Sequence, residues 1–126
     1  MAENKLEFGK KAERVALEFL KEQGYKILEC NYRTKFGEVD IVAVDKDVLC
    51  FVEVKARHSL DLGEPAEAVS VRKQRQIAKA ALSYLKINHR LDQLARFDVL
   101  TLLYQDESPK INLIKDAFEL NTHFTI

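Results

Sequence analysis

The sequence predicts an α/β domain, a central mixed β-sheet flanked by helices, and three observations carry that reading. Apolar residues recur at steps of three and four in two separate segments, the period of a helix with one buried face. Between and after these segments lie runs rich in Val, Ile and Phe that read as strands. The connections are short and carry turn residues, so the elements share one core. A chain of 126 residues fits one domain spanning residues 1–126.

The first helix runs from Asn4 to about Gln23, with Phe8, Ala12, Val15, Ala16, Phe19 and Leu20 on its apolar side and Gly24 marking its end. Tyr25 to Tyr32 reads as a strand of undecided facing. Residues 37–45 and 48–57 are β-rich and joined by Asp45-Lys46-Asp47, which makes them a hairpin. Residues 58–69, with Gly63 and Pro65, read as a loop. Ser70 then caps a second helix whose buried side carries Val71, Ile77, Ala78, Ala81, Leu82 and Leu85. Ala95 to Tyr104 is a strand, and Ile111 to Ile114 a shorter one after the turn at Asp106-Glu107-Ser108-Pro109. The order is α-β-β-β-α-β-β, and residues 121–126 carry no signal that says whether they pack.

Composition excludes several function classes. With 47% hydrophobic and 32% charged residues the chain can close a core and stay in solution, so global disorder is ruled out. No apolar run approaches the roughly 20 residues that span a bilayer, and the N-terminus lacks the apolar stretch of a signal peptide, so the expectation is a cytoplasmic protein with no membrane partner. Cys30 and Cys50 are isolated and read as two buried thiols; His58, His89 and His123 are scattered, so zinc has no ligand set and any metal must be held by oxygen. His58 reads as a surface residue without a partner. The net charge of zero argues against coating nucleic acid by bulk electrostatics. Its distribution is uneven, because Arg72, Lys73, Arg75, Lys79, Lys86 and Arg90 follow Ser70 with no intervening acid.

The hairpin carries the chemistry. Alternation puts Glu38, Asp40, Val42 and Val44 on one face of its first strand, and Leu49, Phe51, Glu53, Lys55 and Arg57 on one face of the second. A two-residue loop at Asp45-Lys46 or at Lys46-Asp47 places Asp40 on the face of Glu53 and Lys55, diagonal to Glu53 or directly opposite it; a three-residue loop without a bulge would separate them. Facing carboxylates repel unless a divalent cation lies between them, and oxygen ligands with open positions suit Mg²⁺ or Mn²⁺. Such an ion beside a lysine is the equipment of a phosphodiester hydrolase. The same spacing also permits an ordinary cross-strand salt bridge among Asp40, Glu53 and Lys55. The neighbouring Ile41 to Val44 and Phe51 to Val54 look buried on both faces, where charge without a use is costly.

From Gly9 to Val99 a series of motifs runs in order: Gly9-x-x-x-Glu13-x-x-Ala16, Gly37-Glu38-Val39-Asp40-Ile41-Val42, Phe51-Val52-Glu53-Val54-Lys55-Ala56-Arg57, Pro65-x-Glu67-Ala68-Val69, Lys73 and Arg96-Phe97-Asp98-Val99. Together they resemble the YraN-like bacterial family of predicted endonucleases, which is similar to the restriction-endonuclease-like superfamily and to archaeal Holliday-junction resolvases. The resemblance implies a restriction-endonuclease-like sheet and a metal-dependent DNA endonuclease acting on branched or structured DNA. It implies Asp40 and Glu53 as metal ligands, the Val54 backbone carbonyl as a third, Lys55 as catalytic lysine, and Glu13 completing the metal site from the first helix, where it can equally be an exposed glutamate. Phe36 stands where the family often has glycine, and Ala56 where it often has threonine.

Glu38 shares a face with Asp40 and is either an outer carboxylate or a partner for Lys55. Arg57, Arg72, Lys73, Arg75 and Lys79 are candidate phosphate contacts or simply a solvated face, and Arg33, Lys35 and His58 are lesser candidates at the hairpin ends. Resolvase relatives imply a homodimer, and folds of this kind also work with a protein partner that loads them. The competing functions are a non-catalytic nucleic-acid-binding or adaptor module that keeps the fold, and a scaffold that binds no nucleic acid.

Overall fold

A computed structural model describes residues 4–58 and 69–119. It contains α1 (Lys5–Glu22), β1 (Lys26–Arg33), β2 (Glu38–Asp45), β3 (Val48–Arg57), α2 (Val71–Ile87), β4 (Ala95–Tyr104) and β5 (Pro109–Phe118). The expected order α-β-β-β-α-β-β is the observed one. The loop expected over 58–69, with the motif residues Pro65, Glu67 and Ala68, lies almost wholly outside the described residues, as do residues 121–126.

The strands form one sheet in the order β1-β2-β3-β4-β5. All neighbours are antiparallel except β3 and β4, which run parallel and are connected through α2. A parallel pair needs a crossover, and the amphipathic second helix provides it. Asn4 caps α1 by accepting the Glu7 N–H at 2.8 Å, and Ser70 caps α2 by accepting the Lys73 N–H at 3.1 Å. Gly24 ends α1 in a left-handed conformation at φ 93°.

The helices cover opposite faces of the sheet. Ala12, Ala16 and Leu20 of α1 pack with Ile41, Cys50, Val52 and Leu100, whereas Ile77, Ala81 and Tyr84 of α2 pack with Val42, Leu49, Phe51 and Val99. Covered on both sides, β2, β3 and β4 read as nearly continuous apolar runs. Among the described residues no helix is long and apolar enough to cross a membrane.

At the N-terminal ends of the parallel pair lies a buried polar network. Asp98, fully buried, accepts from Arg96 Nε at 2.9 Å, Tyr25 Oη at 3.1 Å and the Asp116 N–H at 2.9 Å. Arg96 also donates to Tyr25 Oη and to Asp45 Oδ2, both at 2.8 Å. Burial and the Asp98 charge push the Tyr25 phenol up, while hydrogen bonds from Arg96 hold Asp45 below the usual carboxylate range. The network lengthens the last strand, expected only over Ile111–Ile114. Asp98 captures the amide of Asp116, which sits at φ 54°, across a register shift, and pairing resumes with Phe118 stacked on Phe97 at 4.8 Å.

Two further expectations change. Cys50 is buried, but Cys30 is exposed because β1 is an edge strand. His58 is exposed as expected, yet its ring stacks on Phe8 at 4.2 Å.

Candidate active site

The two-residue turn falls at Lys46-Asp47, since Asp45 pairs with Val48 and Ile41 with Val52. Lys46 takes φ 57°, as the first residue of a hairpin turn that matches strand twist. The same offset sets Asp40 directly opposite Glu53, the second of the two expected registers. There the side chain replaces the backbone ladder: Asp40 Oδ2 accepts the Val54 N–H at 2.8 Å.

Strict alternation fails at this point. Val39 and Val42 both pack on the α2 side, while Ile41 and Ala43 pack on the α1 side. On the edge strand, Cys30 pairs with Ile41 and Tyr32 with Val39, so the residue opposite Asp40 is Asn31, at φ 54°. Asparagine tolerates the left-handed region better than other non-glycine residues, and its amide acts as hydrogen-bond partner to the Glu13 carboxylate. The backbone irregularity that turns Asp40 toward the cleft thus also positions Glu13. Its only trace in the sequence is an Asn inside a strand-like run.

Glu53 is 4% exposed. Its Oε1 is approached by Lys55 Nζ at 3.8 Å and by Lys73 Nζ at 3.7 Å, while its buried Oε2 has no hydrogen-bond partner. Burial and the facing Asp40 carboxylate push Glu53 up to about 7, against the pull of the two lysines. Asp40 is also raised, mainly by burial and opposed by the Val54 N–H. Each carboxylate thus raises the cost of ionising the other.

A raised carboxyl pKa stabilises the fold at low pH and costs stability as the group ionises. Between about pH 4.5 and 7 the folded chain binds more protons at Glu53 than the unfolded chain, so stability falls as pH rises through this window. Urea unfolding in EDTA across this range should show the fall in wild type and a flatter profile in Glu53→Gln. Parallel profiles would contradict the assignment.

A cleft of about 1000 Å³ opens beside the pair, with Asp40, Val54, Lys55 and Arg57 lining it from the sheet and Glu13 from α1. Glu13 is raised by partial burial and by Asp40, but it does not close with Asp40 and Glu53 into a compact metal-binding cluster; among the described residues there is no such group of three. Glu38 lines the same cleft and pairs with Arg33 at 3.5 Å, not with Lys55. Of the basic residues, Lys73 reaches the acidic pair itself, a role its place in a basic run did not suggest. Arg72, Arg75 and Lys79 are exposed along one stripe of α2. Lys5 and Lys10 of α1, absent from the sequence-based candidates, also line the cleft.

The centre lies toward the carboxyl ends of the parallel strands, the usual position of sites in α/β sheets. Fold and centre define a small α/β protein with a buried carboxylate pair, two lysines against it, and a cleft that Asp40 and Lys55 reach. The chain belongs to the uncharacterised protein family UPF0102, the YraN family, whose model matches residues 12–102. It is 51% identical over 116 residues to a UPF0102 protein of Syntrophus aciditrophicus, covering 91% of each chain. Over 112 residues it is 48% identical to one of Geobacter metallireducens, covering 89% of this chain and 92% of the relative. With one of Acetivibrio thermocellus it shares 46% identity over 121 residues, covering 91% and 93%.

Proposed function

We propose that the protein is a divalent-metal-dependent endonuclease that hydrolyses phosphodiester bonds in DNA, with branched or structured DNA as its substrate. The observation that carries this reading is the Asp40–Glu53 pair: two facing carboxylates, one with a buried oxygen lacking any donor, flanked by two lysines. Such a donor set fits a hard cation, so Asp40, Glu53 and the Val54 carbonyl would hold Mg²⁺ or Mn²⁺, with Glu13 extending the acidic wall from α1. When bound, that ion supplies charge stabilisation at phosphorus and a lowered pKa for water.

The chain's own residues do the rest. Lys55, 30% exposed at the cleft, orients the attacking water or the scissile phosphate. Lys73 offsets the charge of Glu53 from the other element. Arg57 in the cleft and Arg72, Arg75 and Lys79 on α2 take flanking phosphates. A homodimer, or a protein partner that loads the enzyme on DNA, completes the proposal as the family resemblance implies it.

The test is cleavage of end-labelled single-stranded, duplex, flap and four-way-junction DNA with Mg²⁺ or Mn²⁺. Wild type should cut a branched substrate, and Lys55→Ala should lower the rate by roughly 10²-fold or more with DNA binding kept. Lys55→Arg should not restore it, because a guanidinium does not reproduce a compact ammonium. Tight binding without any cutting would favour the adaptor module instead.

A further inference from the structure

Phe36 lies outside the proposed catalytic machinery, yet it is mounted more firmly than a chance surface phenylalanine. It sits 41% exposed on the β1–β2 turn. Thr34 locks that turn: its N–H donates to the Gly37 carbonyl at 2.8 Å, and its Oγ1 accepts from the Phe36 N–H at 3.0 Å. Gly37 presses against α2 so closely that a Cβ there would stand 3.0 Å from Gln76 Cβ. The turn that carries Phe36 is therefore held against α2.

Two cations reach over its ring, Lys35 Nζ at 5.3 Å and Lys79 Nζ at 5.8 Å from the ring centroid, on long side chains that an incoming base can displace toward its phosphates. Lys73, which touches Glu53, and Lys79 are six positions apart on α2, about 9 Å along its axis. Lys79 also lies about 120° around the helix from Lys73, so a strand joining them runs obliquely across α2 over several nucleotides. An exposed flat ring between ammonium groups matches a nucleobase with its phosphates, since stacking uses the ring and the cations take the charge.

We infer that Phe36, with Lys35 and Lys79, is a stacking platform for an unpaired base of the DNA engaged by the Asp40–Glu53 centre, which Lys73 joins to α2. The platform deepens the nuclease reading and rests on it for the identity of the ligand. It selects unpaired bases because a base inside a duplex is already stacked on both faces. Strand ends, flaps and branch points offer what the ring requires.

The chain contains no tryptophan, so Phe36→Trp introduces a single tryptophan at the platform, excited selectively at the red edge beyond the tyrosines. The probe is this variant on the Asp40→Asn background, and again with Asp40 retained in EDTA. Each is titrated with a single-stranded oligonucleotide, its abasic counterpart, a blunt duplex and a forked duplex. Single-stranded and forked DNA should quench the emission, and abasic and blunt DNA should leave it largely unchanged. Phe36→Ala and Phe36→Leu should bind unpaired DNA about tenfold more weakly, with blunt duplex affinity changed by less than about twofold.

Unchanged emission at saturation with single-stranded and forked DNA, equal quenching by abasic DNA, Phe36→Ala binding like wild type, or no DNA binding at all would each overturn the platform. Cleavage by wild type is scored separately. Quenching without cleavage would sink the nuclease and keep the platform, while cleavage with Phe36-independent binding would do the reverse.

Discussion

Asp40→Asn is expected to lower divalent-dependent cleavage by on the order of 10³-fold, about 4 kcal/mol of transition-state stabilisation, while leaving the protein more stable at neutral pH. The two effects share one cause. Asparagine has nearly the same volume and keeps an acceptor for the Val54 N–H, which Asp40 binds at 2.8 Å, so the junction of β2 and β3 stays closed. What disappears is one of two negative charges facing each other in a buried site. Glu53, pushed up to about 7 partly by Asp40, should ionise at lower pH in the variant, and stability in EDTA should rise by about 1 kcal/mol. A site that costs stability in its resting state is what function commonly requires. Single-turnover cleavage and urea unfolding measured on the same preparations decide the matter. Cleavage within about tenfold of wild type would remove Asp40 from the metal site. A less stable variant would instead favour a structural salt bridge among Asp40, Glu53 and Lys55.

The largest loss of stability is expected far from the cleft, at Asp98→Ala. That change leaves the Arg96 guanidinium, the Tyr25 hydroxyl and the Asp116 N–H without the acceptor they share, at a position where Asp98 itself is fully buried. Removing one partner of a buried charged pair costs roughly 3–5 kcal/mol. Arg96→Ala should cost less, because Arg96 is 17% exposed and Asp98 would keep its bonds to Tyr25 and Asp116. The double variant should lose less than the sum of the two, since both changes break the same contact. Unfolding of the three variants in urea measures this directly, and a loss below about 1 kcal/mol for Asp98→Ala would show that the network contributes little. Because Asp98 anchors Asp116, the variant should also loosen the end of β5, visible as faster amide exchange around Ala117 and Phe118.

The elements and their order were legible because each rests on a short-range period. α1 and α2 follow from apolar residues three and four apart and, for α2, from the cap Ser70, although Val71, expected on the buried side, is exposed in the first turn; β4 occupies Ala95–Tyr104 as expected. The facing of Asp40 and Glu53 was legible up to a choice of turn, because a period of two fixes faces once the loop length is known. The length of β5 was not legible, since Lys115 and Asp116 look like an ending until Asp98 takes the Asp116 amide. Nor was Asn31, whose left-handed backbone interrupts an edge strand without an accompanying glycine.

The sequence by itself determined the α/β class, the helices, the hairpin and the pairing of acidic residues with Lys55 on it, because all of these depend on neighbours within a few positions. Only the tertiary structure decided that Lys73 meets Glu53 and that Asn31 stands opposite Asp40. It also decided that Arg96, Asp98, Tyr25 and Asp45 form one network. These contacts join residues brought together by the sheet order and by the two helices packing on opposite faces, and no local period of the chain encodes which side chains meet across that distance.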